Sequence, residues 1–118
     1  MGMTVLIVDD HPSFRASART LLEAEGYEIV GEAENGAAAL LAVNELKPDL
    51  VLLDVQLPDL DGFQVAEQLC KLADPPAVVL TSSRDSADYG RCIQLCGASG
   101  FVPKAELSGA AIAALLLA

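Results

Sequence analysis

The sequence predicts an α/β fold, a parallel five-stranded sheet covered by helices on both faces. Five short segments rich in Val, Ile and Leu read as strands buried on both sides: Thr4 to Val8, Tyr27 to Val30, Leu50 to Leu53, Ala77 to Thr81 and Gly100 to Val102. Between them lie stretches long enough for helices, with apolar residues at helical spacing. The connections are short, and five β-then-α units in a row imply parallel strands with helices packed across them.

The first strand runs directly into Asp9 and Asp10. In the helix after it, Phe14, Ala18, Leu21 and Leu22 share a face, and Gly26 stops the last turn. The second helix places Ala37, Leu40, Leu41 and Val43 ahead of Pro48, and the third carries Val65, Ala66, Leu69 and Leu72 after Gly62. A fourth helix is expected from about Ser86 to Cys96, closed by Gly97, and a fifth from near Leu107.

The 118 residues and 12.3 kDa fit a single domain over 1–118. A chain of this size buries roughly two thirds of its unfolded surface, enough for one core without disulfides or a structural metal. The chain ends in Ala and Leu without a Gly, Pro or charged last turn, which reads equally as an excised domain whose fifth helix continues past Ala118 and as a natural single-domain protein. A hydrophobic content of 53% and a mean hydropathy of +0.42 argue against disorder. The formal charge of -10 has the wrong sign for neutralising phosphates, so no direct nucleic-acid binding is expected of this segment.

Cys70, Cys92 and Cys96 are odd in number and lack C-x-x-C spacing, which argues for a reducing compartment. The apolar run from Ala110 to Ala118 is far short of the roughly 20 residues that span a bilayer, so no membrane contact is expected. The start resembles neither a signal peptide nor a myristoylation motif, which would need Ser or Thr where Leu6 stands. The expected location is the cytoplasm.

Open parallel sheets bind ligands outside the carboxyl ends of their strands, where the strand order reverses. The sequence concentrates its chemistry there. Strand one ends at Asp9 and Asp10, strand three at Asp54, strand four at Thr81 and Ser82, and strand five at Lys104. Carboxylates converging at that edge repel by about 4 kcal/mol per pair at ~4 Å and an effective dielectric of ~20. No fold needs such a cost. Mg²⁺ would make it useful, since that ion takes carboxylates, a carbonyl and waters together with a phosphate oxygen. Lys104 and Ser82 then supply a charge and a hydroxyl for further phosphoryl oxygens. Singly, an Asp at a strand end often just caps the next turn; it is the set that points to phosphoryl transfer.

At these residues the sequence resembles the response-regulator receiver domains of two-component signalling. Val-Asp-Asp-His-Pro at 8–12 is similar to the family's acidic-pair loop, and Pro-Asp-Leu-Val-Leu-Leu-Asp at 48–54 to the strand carrying its phosphoacceptor. Leu57, Pro58, Asp59, Asp61 and Gly62 resemble the following loop, and Gly-Ala-Ser-Gly-Phe-Val-Pro-Lys at 97–104 the block that ends in the family's lysine. Val30-Gly31-Glu32-Ala33 with Asn35-Gly36 looks most like the subfamily whose receivers precede a helix-turn-helix DNA-binding domain. The resemblance covers essentially the whole chain and implies a flavodoxin-like, doubly wound sheet of order 2-1-3-4-5 with five helices.

Residue by residue, the resemblance implies that Asp54 accepts a phosphoryl group from the phosphohistidine of a sensor histidine kinase or phosphotransfer protein. It implies Mg²⁺ held by Asp10, Asp54 and the backbone carbonyl of Gln56, with Asp9 acting largely through a water. Lys104 and Ser82 would contact the phosphoryl group, Ser82 being chosen over Thr81 because the family places its hydroxyl 22 residues before the lysine. Phe101 resembles the aromatic that turns inward when that hydroxyl moves, and Gln56 with Arg84 the pair that tunes hydrolysis. The output would pass through helix four, strand five and helix five to an effector domain or a homodimer.

Two departures stand out: Ala105 follows the lysine where many receivers have a proline, and Pro103 precedes it. Simpler readings apply elsewhere. Cys92 and Cys96 are expected as buried small hydrophobes, and His11 as the turn residue before Pro12 and a helix start. Competing functions are an aspartate-based phosphohydrolase, which favours D-x-D where this chain has adjacent Asp9 and Asp10, and a receiver-like interaction module that is never phosphorylated. On the favoured reading the domain is no enzyme beyond catalysing its own phosphorylation and dephosphorylation.

Overall fold

The computed structural model describes residues 2–83 and 89–117. Alternating strands β1 (Thr4–Val8), β2 (Glu28–Ala33), β3 (Leu50–Asp54), β4 (Ala77–Ser82) and β5 (Gly100–Pro103) form one parallel sheet of order β2-β1-β3-β4-β5. The helices are α1 (Pro12–Ala24), α2 (Gly36–Leu46), α3 (Gly62–Cys70), α4 (Cys92–Leu95) and α5 (Gly109–Leu117). The doubly wound architecture expected from the sequence is therefore present.

Side-chain alternation divides the core into two layers. Val5, Ile7, Leu50, Leu52, Val79 and Val102 pack with Ala18, Leu22 and Ile112 beneath α1 and α5. Leu6, Val8, Val51, Leu53, Val78 and Leu80 pack with Val43, Val65, Ala66, Leu69 and Cys96 on the other face. All five residues of β3 are buried, as a central strand requires, and each buried Leu there is worth about 2 kcal/mol of transfer free energy. Because every strand points the same way, the carboxyl ends of β1, β3, β4 and β5 lie along one edge of the sheet.

Several boundaries differ from the sequence reading. β2 continues to Ala33 because it is an edge strand, where Gly31 and Glu32 are tolerated; its pairing with β1 slips by one residue between Val5 and Leu6. In α2 the buried stripe is Gly36, Ala39 and Val43, so Ala37 is exposed and Leu41 is 66% exposed instead of facing the core. Leu72 lies past the end of α3 and is also exposed. The expected helix from Ser86 to Cys96 is helical over Cys92–Leu95, since Gly90 is left-handed (φ +57°) in the turn before it; its expected start lies outside the described residues. Lys104–Glu106 forms a single 3₁₀ turn, and α5 starts two residues later than expected because Ser108 Oγ accepts from Ala111 N at 3.0 Å.

Candidate phosphoacceptor site

β1 lies between β2 and β3, so the strand order reverses at the β1/β3 boundary. The loops leaving these two strands carry Asp9, Asp10 and Asp54, at the position where open α/β sheets form their binding crevice. Asp9 is fully buried and Asp54 nearly so, while Asp10 faces solvent. Together with His11, these residues offer ligand atoms that all lie within 4.8 Å of one another.

The loops are held from several sides. Asp9 N donates to Ala33 O at 3.0 Å, and Arg15 Nη1 of α1 donates to Asp9 O at 2.5 Å. Glu32 of β2 in turn fixes Arg15 at 3.0 Å and Arg19 at 2.8 Å; their guanidinium groups hold its carboxyl below the ordinary value. After β3, Val55 N donates to Thr81 O at 2.9 Å, and Gly62 N to Val55 O at 2.7 Å. A Cβ on Gly62 would collide with the Asp54 carbonyl, so only glycine lets α3 start this close to the site. Asp61 and Gln64 form a reciprocal capping box on α3, and Asp59 accepts from Gly36 N and Ala37 N at the start of α2. The Asp59 and Asp61 of the recognised loop thus serve as helix caps.

Lys104, just past β5, reaches across the edge. Its Nζ lies 2.6 Å from Asp9 Oδ2 and 3.4 Å from Asp54 Oδ2, and 4.5 Å above the Phe14 ring. The contact with Asp9 is an ion pair, and among the described residues the Lys104 ammonium is the partner of Asp9 Oδ2. Asp9 Oδ1 accepts from His11 N at 2.8 Å, and His11 Nδ1 sits 2.9 Å from that oxygen and 3.1 Å from Asp10 Oδ1. His11 is the turn residue before Pro12, as expected, and its ring also joins the acidic cluster.

Asp54 Oδ1 accepts from Gln56 N at 3.1 Å. Burial pushes the Asp54 carboxyl up from 3.8 to about 6; the Gln56 N–H opposes this, Asp9 adds to it, and Lys104 also opposes it. For Lys104, burial works to lower the ammonium, but Asp9 and Asp54 outweigh it and the net shift is upward. The site thus holds buried carboxylates that are under-compensated by a single ammonium. Hard oxygen donors gathered within 4.8 Å of one another and this excess of negative charge fit Mg²⁺.

Ser82 ends β4 and is buried, on the sheet face of Val78 and Leu80, with its Oγ 2.5 Å from the Tyr89 hydroxyl. Thr81 points to the opposite face, its Oγ1 buried without a hydrogen-bond partner among the described residues, and its Cα pairs in register with Asp54. Phe101 is half-buried, 5.7 Å from the Tyr89 ring. Gln56 is exposed in the loop after Asp54, and Arg84 lies outside the described residues. Cys96 is buried with Sγ donating to Ile93 O, but Cys92 is exposed, contrary to the reading of both as core. Arg15 and Tyr89 escaped the sequence reading; Arg15 faces the loop from α1, four residues past the helix-starting His11, a position that periodicity alone marks only as polar.

The edge of this doubly wound sheet carries an acidic pair, a strand-end aspartate, a hydroxyl and a lysine. Residues 5–115 match the family model described as response regulator receiver domain, and the chain belongs to that family. It is 47% identical over 103 residues to a putative transcriptional regulator of Pseudomonas aeruginosa, covering 86% of this chain and 49% of that protein. The DNA-binding transcriptional activator EvgA of Escherichia coli K12 is 38% identical over 113 residues, 96% of this chain and 55% of that protein. The chain therefore spans about half the length of the curated relatives it matches. Among solved structures, the signal receiver domain of the putative response regulator NarL from Mycobacterium tuberculosis superposes with a TM-score of 0.85 at 34% identity, covering 98% of this chain and 97% of that one. Among the described residues no helix is long and apolar enough to cross a membrane.

Proposed function

We propose that residues 1–118 form a single receiver domain in which Asp54 is the phosphoacceptor. The observation that carries this is the convergence of Asp9, Asp54 and Lys104 at the reversal of strand order. A carboxylate oxygen of Asp54 attacks the phosphorus of a phosphohistidine on a sensor histidine kinase or phosphotransfer protein; the P–N bond breaks and the acyl phosphate forms. Because little covalent chemistry falls to the protein in such a transfer, positioning and charge compensation dominate. Asp10, Asp54 and the Gln56 carbonyl would hold Mg²⁺, and Asp9 would act on it through water. When bound, the ion neutralises the carboxylates and the phosphoryl oxygens.

Lys104 then turns from Asp9 toward the phosphoryl group, and Ser82 donates to it. Phe101 responds to the move of Ser82, and the surface of α4, β5 and α5 carries the signal to an effector domain or a second copy. Gln56 and Arg84 tune hydrolysis of the acyl phosphate. The protein works in the cytoplasm as a switch, and as part of a longer regulator it controls transcription.

Incubation with Mg²⁺ and a small phosphodonor such as acetyl phosphate, followed by intact mass, tests this reading. One phosphoryl adduct is expected on the wild type and none on Asp54→Asn. Continuous release of free phosphate from the donor without an adduct would favour a phosphohydrolase, and equal labelling of both proteins would remove Asp54 from its role.

A further inference from the structure

Ser82 Oγ and the Tyr89 hydroxyl lie 2.5 Å apart, joining the end of β4 to the turn that leads into α4. The Tyr89 ring meets Phe63 of α3 edge-on at 5.5 Å and Phe101 of β5 at 5.7 Å. Phe101 carries no hydroxyl, so of the two rings facing each other across β5 and the α4 turn, only Tyr89 has a polar handle. We infer that Tyr89 is a positioning residue of the switch, whose hydroxyl holds Ser82 in the unmodified state and loses that bond when Asp54 is modified. The inference rests on the reading of Asp54 as phosphoacceptor.

The constraint is the position of one oxygen: Ser82 Oγ rests against the Tyr89 hydroxyl whichever of the two donates. Phosphoryl oxygens only accept hydrogen bonds, and a serine has a single O–H to donate. To donate toward Asp54, Ser82 moves its Oγ to another staggered rotamer and leaves the tyrosine. The Tyr89 hydroxyl, half-buried beside Phe63 and Phe101, is then left without this bond, and its ring no longer has a reason to stay in its slot. The event at Asp54 thereby reaches α3, β5 and the entry to α4 through one side chain. On the alternative that the three rings are merely core, the hydroxyl would contribute to stability and nothing else.

The chain has two tyrosines and no tryptophan, and the other tyrosine, Tyr27, donates to Gly109 O at 2.9 Å. In Tyr27→Phe, the tyrosine band of the near-ultraviolet circular dichroism and tyrosine emission therefore report on Tyr89 alone. Both should change when beryllofluoride and Mg²⁺ are added, and should not change in the same protein carrying Asp54→Asn. Tyr89→Phe keeps the ring and removes the bond that favours the unmodified state, so beryllofluoride should bind roughly three- to tenfold more tightly than in wild type. In a Ser82→Ala background the same substitution should have no effect on that affinity.

Unchanged or weaker beryllofluoride binding by Tyr89→Phe would overturn the inference. So would a silent Tyr89 signal in a protein that intact mass shows to be phosphorylated on Asp54. Absence of any adduct with a small phosphodonor would instead overturn the phosphoacceptor reading, and this inference with it.

Discussion

The ammonium of Lys104 is paired with Asp9, 2.6 Å from its Oδ2, across the ends of β5 and β1. Asp54, the proposed acceptor, is the more distant partner at 3.4 Å. The lysine therefore offsets the repulsion between buried carboxylates in the resting protein, the same charge that the proposed chemistry later uses on the phosphoryl group.

Lys104→Met should expose how much of the fold depends on that pairing. Asp9 is fully buried, so removing its counter-charge should cost about 3 kcal/mol in a chelator at neutral pH. Mg²⁺ should recover a larger share of stability in the variant than in wild type, because the ion then meets carboxylates with no ammonium competing for them. Urea unfolding with and without Mg²⁺ measures both quantities, and identical Mg²⁺ responses would show that the metal binds elsewhere.

The pH dependence of Asp54 has a definite sign. Its carboxyl titrates at about 6 in the fold against 3.8 ordinarily, so the folded state holds the proton more tightly and ionisation destabilises it. This penalty is fully present above about pH 6, fades as the pH falls toward the unfolded value, and vanishes below it. In a chelator at pH 7 to 8, Asp54→Asn should be more stable than wild type by roughly 2 to 3 kcal/mol. The two unfolding curves should converge near pH 4. A difference that does not shrink on acidification would contradict the assignment of burial as its cause.

Arg15 should matter to metal affinity without touching the metal. Its bond to the Asp9 carbonyl and its ion pair with Glu32 tie α1 and β2 to the acidic loop. Arg15→Ala should cost about 1 kcal/mol of stability and weaken Mg²⁺ binding severalfold. In a double-mutant cycle with Glu32→Gln, a coupling of about 0.5 to 1 kcal/mol is expected in both stability and Mg²⁺ titration. Coupling in stability alone would reduce Arg15 to a structural pair.

The alternation of apolar strands and helices was legible because burial on both faces leaves a local mark, a continuous Val, Ile and Leu run such as Val51 to Leu53. The candidate edge was legible for a related reason. In a parallel sheet every strand ends on the same side, so Asp9, Asp54, Ser82 and Lys104 fall together once the strands are placed. The fourth helix and the α2 stripe were less so. Gly90 breaks the helical path only through its backbone angle, and Leu41 and Leu46 are exposed leucines that a hydrophobic pattern counts as core.

Strand content, parallel direction and the set of polar groups at one edge thus follow from residues close together along the chain. Which of those groups meet does not. Lys104 is 95 residues from Asp9, and their 2.6 Å contact depends on the order β2-β1-β3-β4-β5 and on the rotamers that packing against Phe14 allows. The same holds for Ser82 with Tyr89, Arg15 with Asp9 and the raised Asp54 carboxyl. Each is set by distance and burial in three dimensions, quantities that periodicity and spacing do not carry.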